Sequence, residues 1–447
     1  MIEALQQLAL VDALRANWGL IRLQAGSISA ALNQQFITLG ERLQNASSIA
    51  EVTQVIDDLL DLTKETPAAG YVRELVMRSS FGETSTTRSV ESLVTTEQDL
   101  QTLSAAPAYA QESCLGLGAL LGQSSELSAG VTQVPVFFAT NRKPAERAGQ
   151  WFSGEVGNFT SLGLGSVTIP TGIHQLGALE RPQWWNLFAN KEDRESFFTL
   201  SGVETLKPAE FTTKLESAAG LAEAPDLLIF LHGFNVTFEE AALRAAQFAH
   251  DSKFRGIVVL FSWPSQGRLP SYSADEDRAL ASSDRLAGFL RILENGPWRK
   301  VHLLAHSMGN RVMLAGLADN PRPKLALGQI IFAAADVYVP VFEEKFPKLQ
   351  DAGKLSATSY ASKKDVPLWI SSRLHRGTRI GMIEQTPYVT DYLESIDATA
   401  VDNGLMGHGY WSAQRPLIND LQRLLHEGLG AKLRQLDQIE RYWAFPK

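Results

Sequence analysis

The spacing of hydrophobic and polar positions along this chain changes near residue 133. Before it, apolar residues recur at helical spacing over residues 2–18, and Ser48-Ile49-Ala50-Glu51 has the form of a capping box that opens another helix. After it, short apolar runs of strand length alternate with amphipathic helical patterns. We therefore predict a helical front domain over residues 1–128 and an α/β domain over residues 129–447.

The strand-length runs of the second region are rich in Val, Ile, Leu and Phe, and helical patterns separate most of them. This order predicts a mostly parallel sheet with helices on both faces. The predicted strands are residues 134–140, 164–169, 227–231, 257–261, 301–304, 330–334, 355–360 and 392–396, and the main helices cover 237–250, 277–293 and the stretch after residue 307.

Composition and charge exclude several classes of protein and of partner. Of the net charge of −8, all lies in residues 1–132, which hold 7 basic and 15 acidic side chains, so nucleic acid and anionic membranes are poor partners. No apolar run reaches the roughly 18 residues of a membrane span, and the first residues lack a secretory pattern. A single cysteine, Cys114, excludes an internal disulfide framework. We expect a cytoplasmic protein in which the acidic front domain docks a partner or self-associates.

The most informative segment is Ala305-His306-Ser307-Met308-Gly309, where a strand pattern breaks and a helical pattern begins. A serine on such a turn, with small residues two before and two after it, is the nucleophile elbow of serine hydrolases. The small neighbours are needed because the strained turn brings them against the adjacent strand and helix. Ala305 stands where a glycine is usual, which adds one methyl group.

A glycine-bearing loop, His232-Gly233-Phe234-Asn235, follows the predicted strand at 227–231. In this architecture such a loop supplies one amide of the oxyanion hole, and the residue after the nucleophile supplies the other. We expect Met308 to give one amide and Gly233 or Phe234 to give the second. The alternative is that these residues form only a tight turn.

The acid of a triad should follow the serine at the end of a later strand. Asp336 lies after the predicted strand at 330–334, and Asp365 lies just beyond the next one. The later position favours Asp365, although Asp336 also keeps the Ser…Asp…His order. The acid not used would serve as a helix cap.

The base is expected in a loop between the last strand and the last helix. His408 lies there, between glycines that let the loop bring an imidazole over the serine. His375 is the rival candidate. No set of His, Cys or Asp has metal-ligand spacing and no phosphate-binding glycine loop is present, so we expect neither a metal nor a cofactor.

Five blocks in this order resemble a group of bacterial α/β hydrolases of the esterase/lipase superfamily, a domain of unknown function. The resemblance covers roughly residues 133–427 and implies an eight-stranded hydrolase sheet, a Ser307–Asp365–His408 triad, and an oxyanion hole near Gly233, Phe234 and Met308. It also suggests that Trp263 lies near the substrate pocket, unless Trp263 is a packed core aromatic. The blocks are Val-Phe-Phe-Ala-Thr-Asn-Arg at 136–142, His-Gly-Phe-Asn at 232–235, Phe-Ser-Trp-Pro-Ser at 261–265, Ala-His-Ser-Met-Gly-Asn-Arg at 305–311 and Gly-His at 407–408.

These residues favour a serine hydrolase that cleaves carboxylic esters through an acyl-enzyme. A related hypothesis is a lipase or phospholipase regulated by the front domain, with Trp184 and Trp185 in a lid over an acyl chain; the same aromatic segment could instead be a packed surface loop or a docking site. The non-enzymatic alternative is a hydrolase-fold scaffold without catalysis.

Overall fold

The computed structural model describes residues 35, 38–42, 54–55, 58–59, 62, 125–128, 130–146, 150–181, 193–266, 272–351, 355–402 and 409–446. The chain divides into two compact units, Met1–Leu120 and Leu121–Lys447. Residues 121–128, which the hydrophobic pattern assigns to the front domain, belong to the second unit. The strand at Ser125–Ser128 pairs antiparallel with the strand that begins at Val131, which explains this placement.

In the first unit the described residues are helical, and they fall within residues 35–62. Val55 and Leu59 are buried one helical turn apart, as the helix predicted from Ser48 requires. The helix predicted over residues 2–18 lies outside the described residues, and so do Trp184 and Trp185 of the predicted lid.

Twelve strands form one sheet in the described part of the second unit, and they are numbered in chain order. Their bounds are β1 Ser125–Ser128, β2 Val131–Pro144, β3 Phe152–Ile169, β4 Thr199–Leu206, β5 Asp226–Leu231, β6 Ile257–Ser262, β7 Lys300–His306, β8 Leu327–Ala333, β9 Ser356–Ala361, β10 Glu394–Asp397, β11 Asp437–Ile439 and β12 Tyr442–Ala444.

The strand order is β11-β12-β10-β9-β8-β7-β5-β6-β2-β3-β4, with β1 on β2. The eight neighbours from β12 to β2 are all parallel. Seven of the eight predicted strands lie in this parallel portion, and the predicted strand at 164–169 is part of the antiparallel β3. Antiparallel strands extend the sheet beyond the parallel portion at both edges. The pattern of apolar runs misses β4, β11 and β12 because most of their residues are partly or fully exposed.

Helices cover both faces of the sheet, as predicted. Consecutive strand residues point to opposite faces. Accordingly, the Phe137 ring lies 5.7 Å from that of Phe211 in one helix, and the Phe138 ring lies 5.0 Å from that of Phe238 in another. The helices are α1 Pro208–Leu221, α2 Phe238–Asp251, α3 Tyr272–Ala281, α4 Ser283–Ile292, α5 Gly309–Ala318, α6 Val339–Asp351, α7 Val366–Leu374, α8 Tyr410–Ala413 and α9 Arg415–Glu427, followed by a 3-10 turn at Ala431–Arg434.

The single helix predicted over residues 277–293 is wrong, because the chain breaks it into α3 and α4 at Ser282. The Ser282 hydroxyl donates to the carbonyl oxygen of Arg278 at 2.6 Å and accepts from Nδ2 of Asn141 at 2.9 Å. Asn141 lies at the end of β2, so a contact distant in sequence fixes the break. Among the described residues, no helix combines the length and the apolar character that a membrane span requires.

Candidate active site

Ser307 lies on the turn between β7 and α5 and has a φ of +50°, a left-handed conformation that costs a non-glycine residue about 1–3 kcal/mol. Gly309 must be small, because a Cβ there would come within 2.4 Å of the carbonyl oxygen of His232. Ala305 is fully buried in β7, where its backbone pairs with Leu231 of β5 and Phe332 of β8. The turn thus has the steric requirements of a nucleophile elbow.

Hydrogen bonds to the backbone of Ser307 hold this strained turn. Its carbonyl oxygen accepts from the amide of Asn310 at 3.1 Å, from Nδ2 of Asn310 at 2.9 Å and from the amide of Asp336 at 3.2 Å. Its own amide donates to the carbonyl oxygen of Ala333 at 3.0 Å. The end of β8 and the first turn of α5 therefore fix the serine from both sides.

The loop after β5 lies directly against the Ser307 side chain. A Cβ built on Gly233 would be 3.0 Å from Cβ of Ser307 and 2.9 Å from Nδ1 of His306. Asn235 has a φ of +57°, which turns the chain sharply back toward α2. Met308, which follows the serine, is buried. The structure thus brings the backbone around Gly233 next to the serine, as an oxyanion loop requires.

A buried arginine, Arg142, stabilises the loop after β5 through hydrogen bonds. Arg142, at the end of β2, is only 1% exposed. Its guanidinium donates to the carbonyl oxygens of Val236 and Ser265, each at 2.7 Å, and to Oγ of Ser262 at 2.8 Å. Burial lowers the pKa of Arg142 to about 9, so the group stays charged at neutral pH. It joins the ends of β2, β5 and β6.

His232 anchors the other side of the loop and is neutral, because burial and the nearby Arg142 charge lower its pKa to about 3. Nη2 of Arg142 lies 3.3 Å from Nε2 of His232. Nε2 also lies 3.1 Å from the carbonyl oxygen of Trp263, and Nδ1 lies 2.8 Å from the carbonyl oxygen of Gly233. The histidine therefore holds Gly233 in place rather than serving as a base.

Trp263 packs beneath His232. The two rings stack with centroids 5.1 Å apart, and the indole N–H donates to the His232 carbonyl oxygen at 2.8 Å. The Trp263 side chain has no exposed surface. Its position fits the packed-aromatic alternative, because a fully buried ring cannot line an open substrate pocket.

Asp365 lies just beyond β9, two strands away from the strand that ends at the nucleophile. It is 1% exposed and caps α7, where its Oδ1 accepts from the amide of Leu368 at 3.0 Å. This hydrogen bond to Oδ1 thus fixes the orientation of the Asp365 carboxylate at the carboxyl edge of the sheet.

Asp336, the alternative acid, belongs to a buried ionic cluster. Its Oδ1 accepts from Oγ of Ser371 at 2.6 Å and lies 3.0 Å from Nε of Arg379. Its Oδ2 lies 3.2 Å from Nη2 of Arg311 in α5. Both oxygens are therefore engaged in contacts that anchor α5 and the backbone behind the nucleophile turn.

The predicted base, His408, lies outside the described residues, but both flanks of its loop are described. On one side, Asp402 accepts from Oγ of Ser362 at 2.5 Å, in the turn that precedes the predicted acid. On the other side, the Trp411 ring lies 5.4 Å from the ring of His306, which precedes the nucleophile. The two flanks thus contact residues that lie close in the chain to the predicted acid and the predicted nucleophile.

His375, the rival base, ends α7. Its Nε2 lies 3.0 Å from Oε1 of Glu276, and its Nδ1 lies 2.9 Å from the carbonyl oxygen of Ser371. Glu276 also pairs with Arg311. These contacts make His375 part of the charged cluster around Asp336.

Two residues that support the site were not singled out by sequence reasoning. Arg142 closes the Phe-Phe-Ala-Thr-Asn-Arg run of an otherwise buried strand, and a charge at such a position is a signal of an internal partner. Asn310 follows the nucleophile by three residues, where its side chain can return to the turn. The signal at Arg142 does not identify its contacts, which are with residues distant in the chain.

The parallel sheet, the serine at the strand-to-helix turn and the glycine loop beside it agree with comparison to known proteins. Residues 207–427 match the model of a family described as α/β hydrolases of unknown function (DUF900). No curated protein matches the chain. The family segment begins just before α1 and includes β5 to β10, the Ser307 turn and both candidate acids. Through residues 207–427 this chain is thus similar to that family of α/β hydrolases.

Proposed function

We propose that this protein is a serine hydrolase that cleaves carboxylic esters through an acyl-enzyme intermediate. The observation that carries the proposal is the juxtaposition of Ser307, strained at φ +50°, with Gly233, where an added Cβ would lie only 3.0 Å from Cβ of the serine. A strained nucleophile beside a loop of backbone amides matches the needs of acyl transfer, in which negative charge develops on the substrate carbonyl oxygen.

In the proposed reaction, Oγ of Ser307 attacks the ester carbonyl carbon while His408 accepts the hydroxyl proton. The amide of Met308 and one from Gly233 or Phe234 stabilise the oxyanion, and each such donor typically contributes about 10²–10³ in kcat. His408 then donates the proton to the alcohol oxygen as the ester bond breaks. Water repeats these steps on the acyl-enzyme and releases the acid.

We assign the orienting carboxylate to Asp365 rather than to Asp336. The support is that Asp336 already faces two arginines, whereas Asp365 lies beyond the later strand with a helix cap on one oxygen. The Ser362–Asp402 hydrogen bond favours an approach of the His408 loop to this same turn. A carboxylate in this place selects the tautomer of the base and stabilises the imidazolium.

Hydrolysis of an ester series with short to long acyl chains tests the proposal. Wild type should hydrolyse at least one member, and Ser307→Ala and His408→Ala should lower kcat by about 10³-fold or more without changing the unfolding temperature. Equal rates in wild type and Ser307→Ala would contradict the proposal. A preference for long chains presented as dispersions would assign the protein to the lipase class. A cytoplasmic location and docking through residues 1–128 stay predictions from the sequence.

A further inference from the structure

We propose that His174, His250 and Asp251 form a binding site for a divalent transition-metal ion, with Zn²⁺ as the best-fitting candidate. One ring nitrogen of each histidine and one carboxylate oxygen of Asp251 lie within 4.8 Å of one another. Two imidazoles and one carboxylate form a ligand set that suits Zn²⁺ and related ions and leaves a position for water. The site is separate from the Ser307 turn and does not depend on ester hydrolysis.

The orientation of His174 fits a metal ligand. Its Nε2 lies 2.8 Å from Oδ1 of Asp251, and its Nδ1 lies 2.8 Å from Oε2 of Glu180. Metal-binding histidines commonly donate their second ring N–H to a carboxylate, which fixes the tautomer and the ring plane. Glu180 supplies such a carboxylate, so that Nε2 of His174 can face the ion together with Asp251.

Hydrogen bonds orient the Asp251 carboxylate in the absence of an ion. Its Oδ2 accepts from the amide of Gly177 at 2.6 Å and from Nε2 of Gln247 at 2.5 Å. These two donors leave Oδ1 directed at His174. In metal sites, hydrogen bonds to one oxygen of a carboxylate commonly orient it while the other oxygen binds the ion.

An ionic bridge without a metal accounts for only part of this arrangement. A protonated His174 between Glu180 and Asp251 satisfies three of the four residues, but it gives no role to His250. The His250 ring has its centroid 5.7 Å from that of His174, and His250 is partly exposed, which opens a route from solvent. A second imidazole beside the first is explained if both bind one ion. On binding, the proton on Nε2 of His174 leaves to solvent.

The ion would connect two segments of the second unit, and Gln247 links a third to them. His174 lies in the segment after β3, and His250 and Asp251 end α2. Gln247, which holds Asp251, also donates to the carbonyl oxygen of Ser412 in α8 at 3.1 Å. Binding is therefore expected to raise the unfolding temperature of the full chain, because the ion binds only when these segments are assembled.

The test is titration of the chelator-treated full chain with Co²⁺, followed by visible absorption, and then displacement by Zn²⁺. We expect one Co²⁺ per chain with a saturable d–d band that Zn²⁺ abolishes. His250→Ala should weaken binding at least tenfold while leaving the unfolding temperature in chelator unchanged. Glu180→Gln should weaken it by about 10–100-fold through loss of the supporting carboxylate.

His426→Ala is the matched control, because His426 also lies in the last turn of a helix but outside the cluster. It should bind Co²⁺ as wild type does, and so should Ser307→Ala, whatever the fate of the esterase proposal. Absence of a saturable band, or equal binding by the His250 and His426 variants, would overturn the metal site and leave His174 as an ionic bridge. If His250→Ala fails to fold, the Glu180→Gln affinity decides: an unchanged affinity would equally overturn the proposal.

Discussion

Gly233 and Ser307 lie so close that a methyl group on Gly233 would sit 3.0 Å from Cβ of the serine. The same methyl group would meet Nδ1 of His306 at 2.9 Å. Such distances force the loop or the nucleophile turn to move. The glycine therefore sets the spacing between the attacking oxygen and the loop that is proposed to hold the oxyanion.

Gly233→Ala should lower kcat for ester hydrolysis by about 10–100-fold, because a displacement of this size misaligns reacting groups. The unfolding temperature should change little, since the shift is local. Gly220→Ala in α1 is the control, because a Cβ there meets nothing within 4 Å. A Gly233→Ala enzyme with wild-type kcat would separate this loop from the oxyanion role.

Arg142→Lys should both destabilise the protein and slow the reaction. A lysine cannot replace the three directional bonds to Val236, Ser265 and Ser262, and each buried acceptor left without a donor costs about 1–3 kcal/mol. We expect a loss of about 3 kcal/mol in urea unfolding and a lower kcat. Arg441→Lys, at an exposed ion pair, should be neutral. If Arg142→Lys is as neutral as Arg441→Lys in stability and kcat, the buried hydrogen bonds of Arg142 do not support the loop.

The two candidate acids should respond differently to the same change. Asp365→Asn keeps a side chain that caps α7 but loses the orienting charge, so kcat should fall by about 10³–10⁴-fold with little loss of stability. Asp336→Asn leaves the buried Arg379 and the half-buried Arg311 facing a neutral group and should cost about 3 kcal/mol of stability with a smaller effect on kcat. If Asp336→Asn instead lowers kcat more than Asp365→Asn does, Asp336 is the triad acid.

Acid should weaken the fold through His232. Its pKa is about 3 in the folded protein and about 6.5 when unfolded, so between these values the unfolded chain binds the extra proton. Stability therefore falls as pH drops from 6.5 toward 3, by about 3 kcal/mol at pH 4. His232→Gln should flatten this dependence in denaturant unfolding at pH 6.5 and pH 4. An unchanged slope would mean that His232 is not buried and neutral.

Local patterns were enough to predict seven of the eight parallel strands and the Ser307 turn, because strand length, helical period and steric demand are encoded within a few residues. The same holds for the glycine loop after β5. The helix break at Ser282 could not be predicted, since it depends on Asn141 in a distant strand. The support of the loop by Arg142 and the His174–Asp251 pair likewise join residues far apart in the chain. Strands β4, β11 and β12 lie at or next to the edges of the sheet and have mostly exposed or partly exposed residues, so their sequence carries little strand periodicity.

The most direct test of the proposed active site is labelling of the purified full chain with a fluorophosphonate probe, read by intact mass and by mapping of the modified peptide. A working nucleophile in a complete hydrolase site should take up one label per chain on Ser307, and Ser307→Ala should take up none. No label on the wild type would contradict the account and favour a hydrolase-fold scaffold without catalysis, and equal labelling of both proteins would contradict it by placing the reactive residue elsewhere.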